Sequence, residues 1–198
     1  MACPARFVCR PKRHQRNLYS GYKKGHGYKF QALIVACGLL FDIYGPLPGR
    51  RNDWFMWTDS RLGQFLRALP LHASGKPYYI YGDSGYYLWK DILVSGFKGR
   101  YLTAREEKFN TTFNTPRTSV EWGFRSVTQM WRSLNMVEEQ KVGRTAVGYQ
   151  YLAACLLTNF LTCLDGTNQT AAYFNCPPPT LERYMTAERV DRAGLWQL

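Results

Sequence analysis

The apolar positions of the chain change period several times, and each change predicts an element. From Tyr28 to Cys37, YKFQALIVAC is dense in strand-forming residues. Gly38 supplies a turn, and LLFDIYG is a second apolar run that ends at Gly45-Pro46, so the stretch predicts an antiparallel hairpin. In TDSRLGQFLRAL, Leu62, Phe65, Leu66 and Leu69 recur at the i, i+3, i+4, i+7 spacing of an amphipathic helix, with Asp59 or Ser60 as its cap. A short strand, Tyr78 to Tyr81, stops at Gly82. Residues 91–118 show no period and contain Asn110, Asn114 and Pro116 as breakers, which predicts a loop. SVEWGFRSVTQMWRSL repeats Val120, Phe124, Val127, Trp131 and Leu134 at helical spacing behind Ser119 as cap. GRTAVGYQYLAACLLTNFLTCL is apolar nearly all round, as a helix buried against a sheet is. Three prolines at 177–179 close the compact part.

Hairpin, helix, short strand, helices is an α/β pattern, a small mixed sheet flanked by helices. With 198 residues, 45% of them hydrophobic, one domain with a sizeable core is expected. Its divisions are a basic N-terminal segment at 1–26, broken by Pro11, Gly21, Gly25 and Gly27, a core at 27–165 and a tail at 166–198. No run of 18 apolar residues occurs and the N-terminus lacks an apolar signal region, so no membrane partner is expected. The six cysteines form no C-x-x-C pair and no Cys/His group at zinc spacing; they read as thiols buried as small hydrophobes.

Charge changes the picture. The net charge is +12 and the pI about 9.6. From Met1 to Phe41 there are Arg6, Arg10, Lys12, Arg13, Arg16, Lys23, Lys24 and Lys29, and no acid. A solubilising surface would intersperse acids among these cations. An unbalanced basic field fits a polyanion, so DNA is the expected partner and the nucleus the expected compartment.

Three acids stand apart from the rest. Asp53 lies in GRRNDW after a Pro/Gly-rich loop, Asp83 ends the tyrosine-rich strand between Gly82 and Gly85, and Glu121 falls in the first turn of a predicted helix. Carboxylates converging at strand ends and a helix are what Mg²⁺ or Mn²⁺ would need, and paired ions of that kind cleave phosphodiesters. Each acid also has a plainer account: Asp53 and Asp83 as turn residues, Glu121 as an acid complementing the helix dipole.

The segments GRRNDW, GDSGYYL and FNTTFNTPRTSVEWGFRSV, followed by CLLTNFL, resemble those of DDE superfamily endonucleases, in particular PIF/Harbinger-type transposases and the nucleases derived from them. CRPKRHQRNLYSGYKKGHGYKFQALI is similar to the family's early basic segment, so the resemblance spans about residues 7–165. It implies a ribonuclease H-like fold and a divalent-metal DNA endonuclease site. Asp83 matches the strand-end aspartate and Glu121 the helix glutamate, both catalytic and metal-ligating, and Asp53 matches a third metal ligand. Asn52 stands where the family commonly has histidine.

The family's first aspartate would fall on Ala2, and no acid precedes Asp42. The resemblance therefore implies an N-terminally truncated domain that lacks the first strand and the first catalytic aspartate, with impaired cleavage. DNA contacts are expected from Arg10, Lys12, Arg13, Arg16, Lys23, Lys24, Lys29, Arg50, Arg51, Arg117 and Arg125. A separate DNA-binding protein or a second copy of the chain would supply what this domain lacks. The alternative is a non-catalytic DNA-binding or protein-interaction module on the same fold.

Overall fold

Short strands and helices both occur in the computed structural model, which describes residues 1–69, 75–76, 78–83, 86 and 92–186. In chain order they are β1 (Ala5–Phe7), α1 (Gln15–Leu18), β2 (Tyr19–Ser20), β3 (Gly25–Ile34), β4 (Leu40–Pro48), α2 (Asp53–Ser60), α3 (Leu62–Ala68), β5 (Ile80–Tyr81), β6 (Leu93–Val94), α4 (Ala104–Met130), α5 (Val147–Asp165), α6 (Gln169–Phe174) and α7 (Leu181–Thr186). Strand β3 is shared by the rest of its sheet. It pairs antiparallel with β1 along one edge, where Arg6 faces Tyr28, and with β4 and, at its start, β2 along the other, where Ser20 faces Gly25. Ala2 bridges to Ala32, and the Met1 ammonium donates to the Tyr81 carbonyl, which brings β1 beside the parallel pair β5–β6.

The pleat of β3 divides the core in two. Its even positions, Tyr28, Phe30, Ala32 and Ile34, pack with Val127, Leu134, Tyr151, Ala154 and Cys155 from the side of α4 and α5. Odd-numbered Leu33 joins Trp57, Leu62, Phe65, Leu66, Ile80 and Leu93 on the side of α2 and α3. Gln31, fully buried on that second face, donates from Nε2 to Ser60 Oγ at 2.9 Å. This is the period-2 alternation expected of a strand covered on both sides. Helix α5, with a mean hydropathy of 1.3, is long and apolar enough to cross a membrane by length and composition, and here it packs against β4. Asn159 ties the two together, accepting from Leu40 N at 2.9 Å and donating to Leu40 O at 3.0 Å.

The hairpin, the short strand and α5 agree with the sequence reading, and several expectations are corrected. The helix expected from Asp59 is two helices. The first starts at Asp53 behind Asn52, whose Oδ1 accepts from Phe55 N at 2.7 Å, and the two break at Arg61, where φ is +54°. The loop expected at 91–118 is half helix: α4 runs 27 residues through Asn110, Asn114 and Pro116. A reciprocal cap starts it at Thr103, whose hydroxyl accepts from Glu106 N while its backbone N–H donates to Glu106 Oε2, holding that carboxyl below its usual range. Residues 1–26 carry β1, α1 and β2, and β2 forms a hairpin with the start of β3.

Residues 166–186 carry α6 and α7, which pack on α4 and α5 respectively. Of the cysteines, Cys155 and Cys163 are buried, whereas Cys3, Cys9, Cys37 and Cys176 are partly exposed. Gly85, Trp89 and the tail residues 187–198 lie outside the described residues.

The β1–β3 contact is close enough to test. A Cβ on Gly27 would sit 2.3 Å from the Arg6 carbonyl oxygen, while one on Gly21 would meet nothing within 4 Å. Gly27→Ala is expected to cost about 1–3 kcal/mol in chemical denaturation, and Gly21→Ala to leave the midpoint within error of the parent.

Candidate nucleic-acid interface

The odd face of β3 that buries Gln31 and Leu33 also carries Lys29, which therefore emerges beside the start of α2. Its ammonium donates to Asp53 Oδ1 and, at 3.1 Å, to the Arg51 carbonyl. Asp53 is the first residue of α2, where the helix dipole favours a negative charge. The loop before it presents Arg50 and Arg51. Arg50 is pinned to Asn17, donating from its backbone to Asn17 O at 3.2 Å and from its side chain to Asn17 Oδ1 at 3.3 Å. The Arg51 guanidinium lies 4.2 Å from the centre of the Phe55 ring. Deeper in, Cys3 Sγ is 2.9 Å from the Tyr86 hydroxyl. Burial, followed by the negative charge of Asp53, pushes the Cys3 thiol up to about 12.

Asp83 follows β5 and meets α4 from the other side. Arg117 lies between two carboxylates, 3.7 Å from Asp83 Oδ1 and 3.6 Å from Glu121 Oε1, the latter an i, i+4 pair on α4. Asn110, two turns earlier on the same helix, accepts from Phe97 N at 2.8 Å and donates to Phe97 O at 3.0 Å. That two-point bond replaces a strand neighbour for segment 96–98. An aromatic row holds the segment from below, with Phe97 and Phe109 5.2 Å apart, Phe109 and Phe113 5.5 Å apart, and Tyr81 on Phe113 at 5.0 Å. Lys98 is thereby placed next to Asp83.

A cleft of 410 Å³ joins the two halves. Ser20, Gly21, Tyr22, Lys29, Gly49, Arg50, Arg51, Asn52, Asp53, Asp83 and Lys98 line it. Of the three acids singled out in the sequence, the structure brings Asp53 and Asp83 into this cleft. Glu121 joins Asp83 only through Arg117, and its side chain is 64% exposed. It lies past the middle of α4, which removes the dipole account of its role and corrects its assignment to a first turn. Of the cations expected to contact DNA, Lys29, Arg50 and Arg51 line the cleft and Arg117 borders it. Arg10, Lys12, Arg13, Arg16, Lys23, Lys24 and Arg125 are exposed outside it, Arg10 donating to Gln15 Oε1.

The described tryptophans, Trp54, Trp57, Trp122 and Trp131, are packing residues. Trp57 is in the core, Trp54 and Trp131 pack on its two halves, and Trp122 meets Tyr173 edge-on at 5.3 Å.

These residues do not fit a divalent cation pair as they stand. Mg²⁺ and Mn²⁺ require clustered oxygen ligands. Here Asp53 is engaged by an ammonium, Asp83 and Glu121 share a guanidinium, and the nearby Cys3 thiol is held neutral. Among the described residues no three His, Cys, Asp or Glu side chains form a group suited to a metal.

Sequence reasoning missed Lys98, Tyr22 and the clamping role of Asn110. Only the Arg117–Glu121 pair had a local signal, its i, i+4 spacing.

Compared with protein families, residues 2–159 match the description DDE superfamily endonuclease. Comparison with curated proteins and with solved structures gave no significant match.

Two measurements check this geometry. Asn110→Ala should speed hydrogen exchange at the Phe97 amide at least tenfold while leaving the α5 amides unchanged. At pH 8, Cys3 should alkylate on the order of 10³-fold more slowly than in the denatured chain, because a thiol raised this far is almost wholly protonated. The rate should climb with pH through the ordinary thiol range and beyond.

Proposed function

The chain belongs to the DDE superfamily endonucleases, and from that premise we propose that it is a transposase-derived domain that binds the DNA phosphate backbone along the cleft without hydrolysing it. The observation that carries this reading is the pairing of all three candidate carboxylates with cationic side chains, Asp53 with Lys29, and Asp83 and Glu121 with Arg117. A nuclease centre in this family presents free oxygen ligands to divalent metal. Here the same positions sit in a field where four cations, Lys29, Arg50, Arg51 and Lys98, line one cleft with two acids. Such a field attracts phosphate and contributes affinity without reading sequence.

A Harbinger-type origin and a ribonuclease H-like fold are part of the proposal. In their support, an antiparallel group formed by β4, β3 and β1 lies beside the parallel pair β5–β6, and α4 delivers Glu121 toward the end of β5. A nuclear location follows from the same reading.

Binding of a duplex oligonucleotide, followed by fluorescence anisotropy across a salt series, should be indifferent to EDTA. The affinity should fall log-linearly with salt, and Arg51→Ala should reduce the magnitude of that slope by about 1, one phosphate contact's worth. Incubation of supercoiled plasmid with Mg²⁺ or Mn²⁺ should leave it closed. Nicking that Glu121→Gln abolishes would restore the metal-nuclease reading.

A further inference from the structure

We propose that the cleft takes one unstacked nucleotide of a single-stranded DNA segment, its base stacked on Tyr22 and its phosphate held by Arg50, Arg51 and Lys98. This deepens the phosphate-binding reading and rests on it. Tyr22 stands in the turn between β2 and β3, a hairpin closed by the pairing of Ser20 with Gly25 and braced where Lys23 N donates to Ser20 Oγ at 3.3 Å. Its residue surface is 90% exposed, the highest value among the described large hydrophobic residues, and the Lys23 ammonium is 5.3 Å from its ring centre. A tyrosine buried in a core contributes through packing. One held out on a rigid turn at the rim of a basic cleft offers its π face to something outside the chain.

Size and charge select the ligand. At 410 Å³ the cleft falls within the range of about 300–1,000 Å³ that encloses a single small molecule. A nucleotide is of that size and a duplex is not. The cations are graded with depth: Arg50, Arg51 and Lys98 are exposed, whereas the Lys29 side chain is 13% exposed and already engaged by Asp53. A phosphate is therefore favoured at the rim and repelled by Asp53 further in. The base, uncharged, gains nothing from those cations and is left to stack on the Tyr22 ring. Stacking on an aromatic ring accepts any base, so the site would favour single strands with little regard to sequence.

The test compares a 20-nucleotide single strand with a duplex of the same length, both labelled for anisotropy, on the full chain and its variants. The parent is expected to bind the single strand more tightly than the duplex. Tyr22→Ala should weaken single-strand binding about tenfold and change duplex binding less than twofold, and Tyr22→Trp should restore it. A 2-aminopurine in the single strand should be quenched by the parent and not by Tyr22→Ala. Among the described residues Tyr22 joins neither core cluster, so unchanged thermal melting of both variants will confirm that folding is intact. Duplex binding that persists, with no single-strand preference or no effect of Tyr22→Ala, overturns the nucleotide site alone. Failure to bind either DNA at low salt overturns this inference together with the phosphate-binding function.

Discussion

The pleat of β3 is the constraint from which the rest of the molecule follows. Among the described strands it alone is paired along both edges, by β1 on one side and by β4 and β2 on the other, and both of its faces are covered. Such a strand has no freedom of register, because a slip of one residue would drive Phe30 and Ala32 toward α2 and turn Lys29 toward α5. Burial of Phe30 against Tyr151, with ring centres 4.5 Å apart, sets where Lys29 emerges. The packing on one face of the sheet thus positions the charge on the other.

That charge decides the character of the cleft. An ion pair as exposed as those of Arg117 with Asp83 and Glu121 adds little to stability, typically about 0–1 kcal/mol. Its functional effect is larger. With Lys29 on Asp53 and Arg117 between Asp83 and Glu121, carboxylates that would otherwise repel DNA are offset by cations held in place by the fold. Arg50 and Arg51 gain from the same arrangement, since Lys29 also donates to the Arg51 carbonyl and Asn17 holds Arg50. The loop that faces the ligand is thereby braced from β3 and from α1.

Much of the fold was legible because its elements advertise their periods. The hairpin showed through strand-forming residues on either side of Gly38, whose Cβ, were there one, would lie 2.0 Å from Asn168 Oδ1. Helix α5 showed through its all-round apolarity. The failures share one physical cause, tertiary contacts that override local propensity. Asn110 and Asn114 are poor helix formers and Pro116 lacks a donor, yet the aromatic row of Phe97, Phe109 and Phe113 and the Asn110 clamp hold that stretch helical. At the site, the acids Asp53 and Asp83 could be found by their place at element ends. Their cationic partners could not, because Lys29 is 24 residues from Asp53 along the chain and no local spacing joins them.

The unbroken course of α4 has a consequence for how the cleft works. Asn110, Asn114, Arg117 and Glu121 are separated by four, three and four residues, so one face of one rigid rod carries them all. At one point this face fixes segment 96–98, and with it Lys98; two turns later it holds Asp83 through Arg117. Were α4 broken at Pro116, the phosphate-facing cation and the carboxylate beside it would move independently, and their separation would vary with the ligand. A continuous helix makes that separation a property of the protein. The cleft can then discriminate by size, because the loops that line it are held in place by a doubly paired strand and a continuous helix.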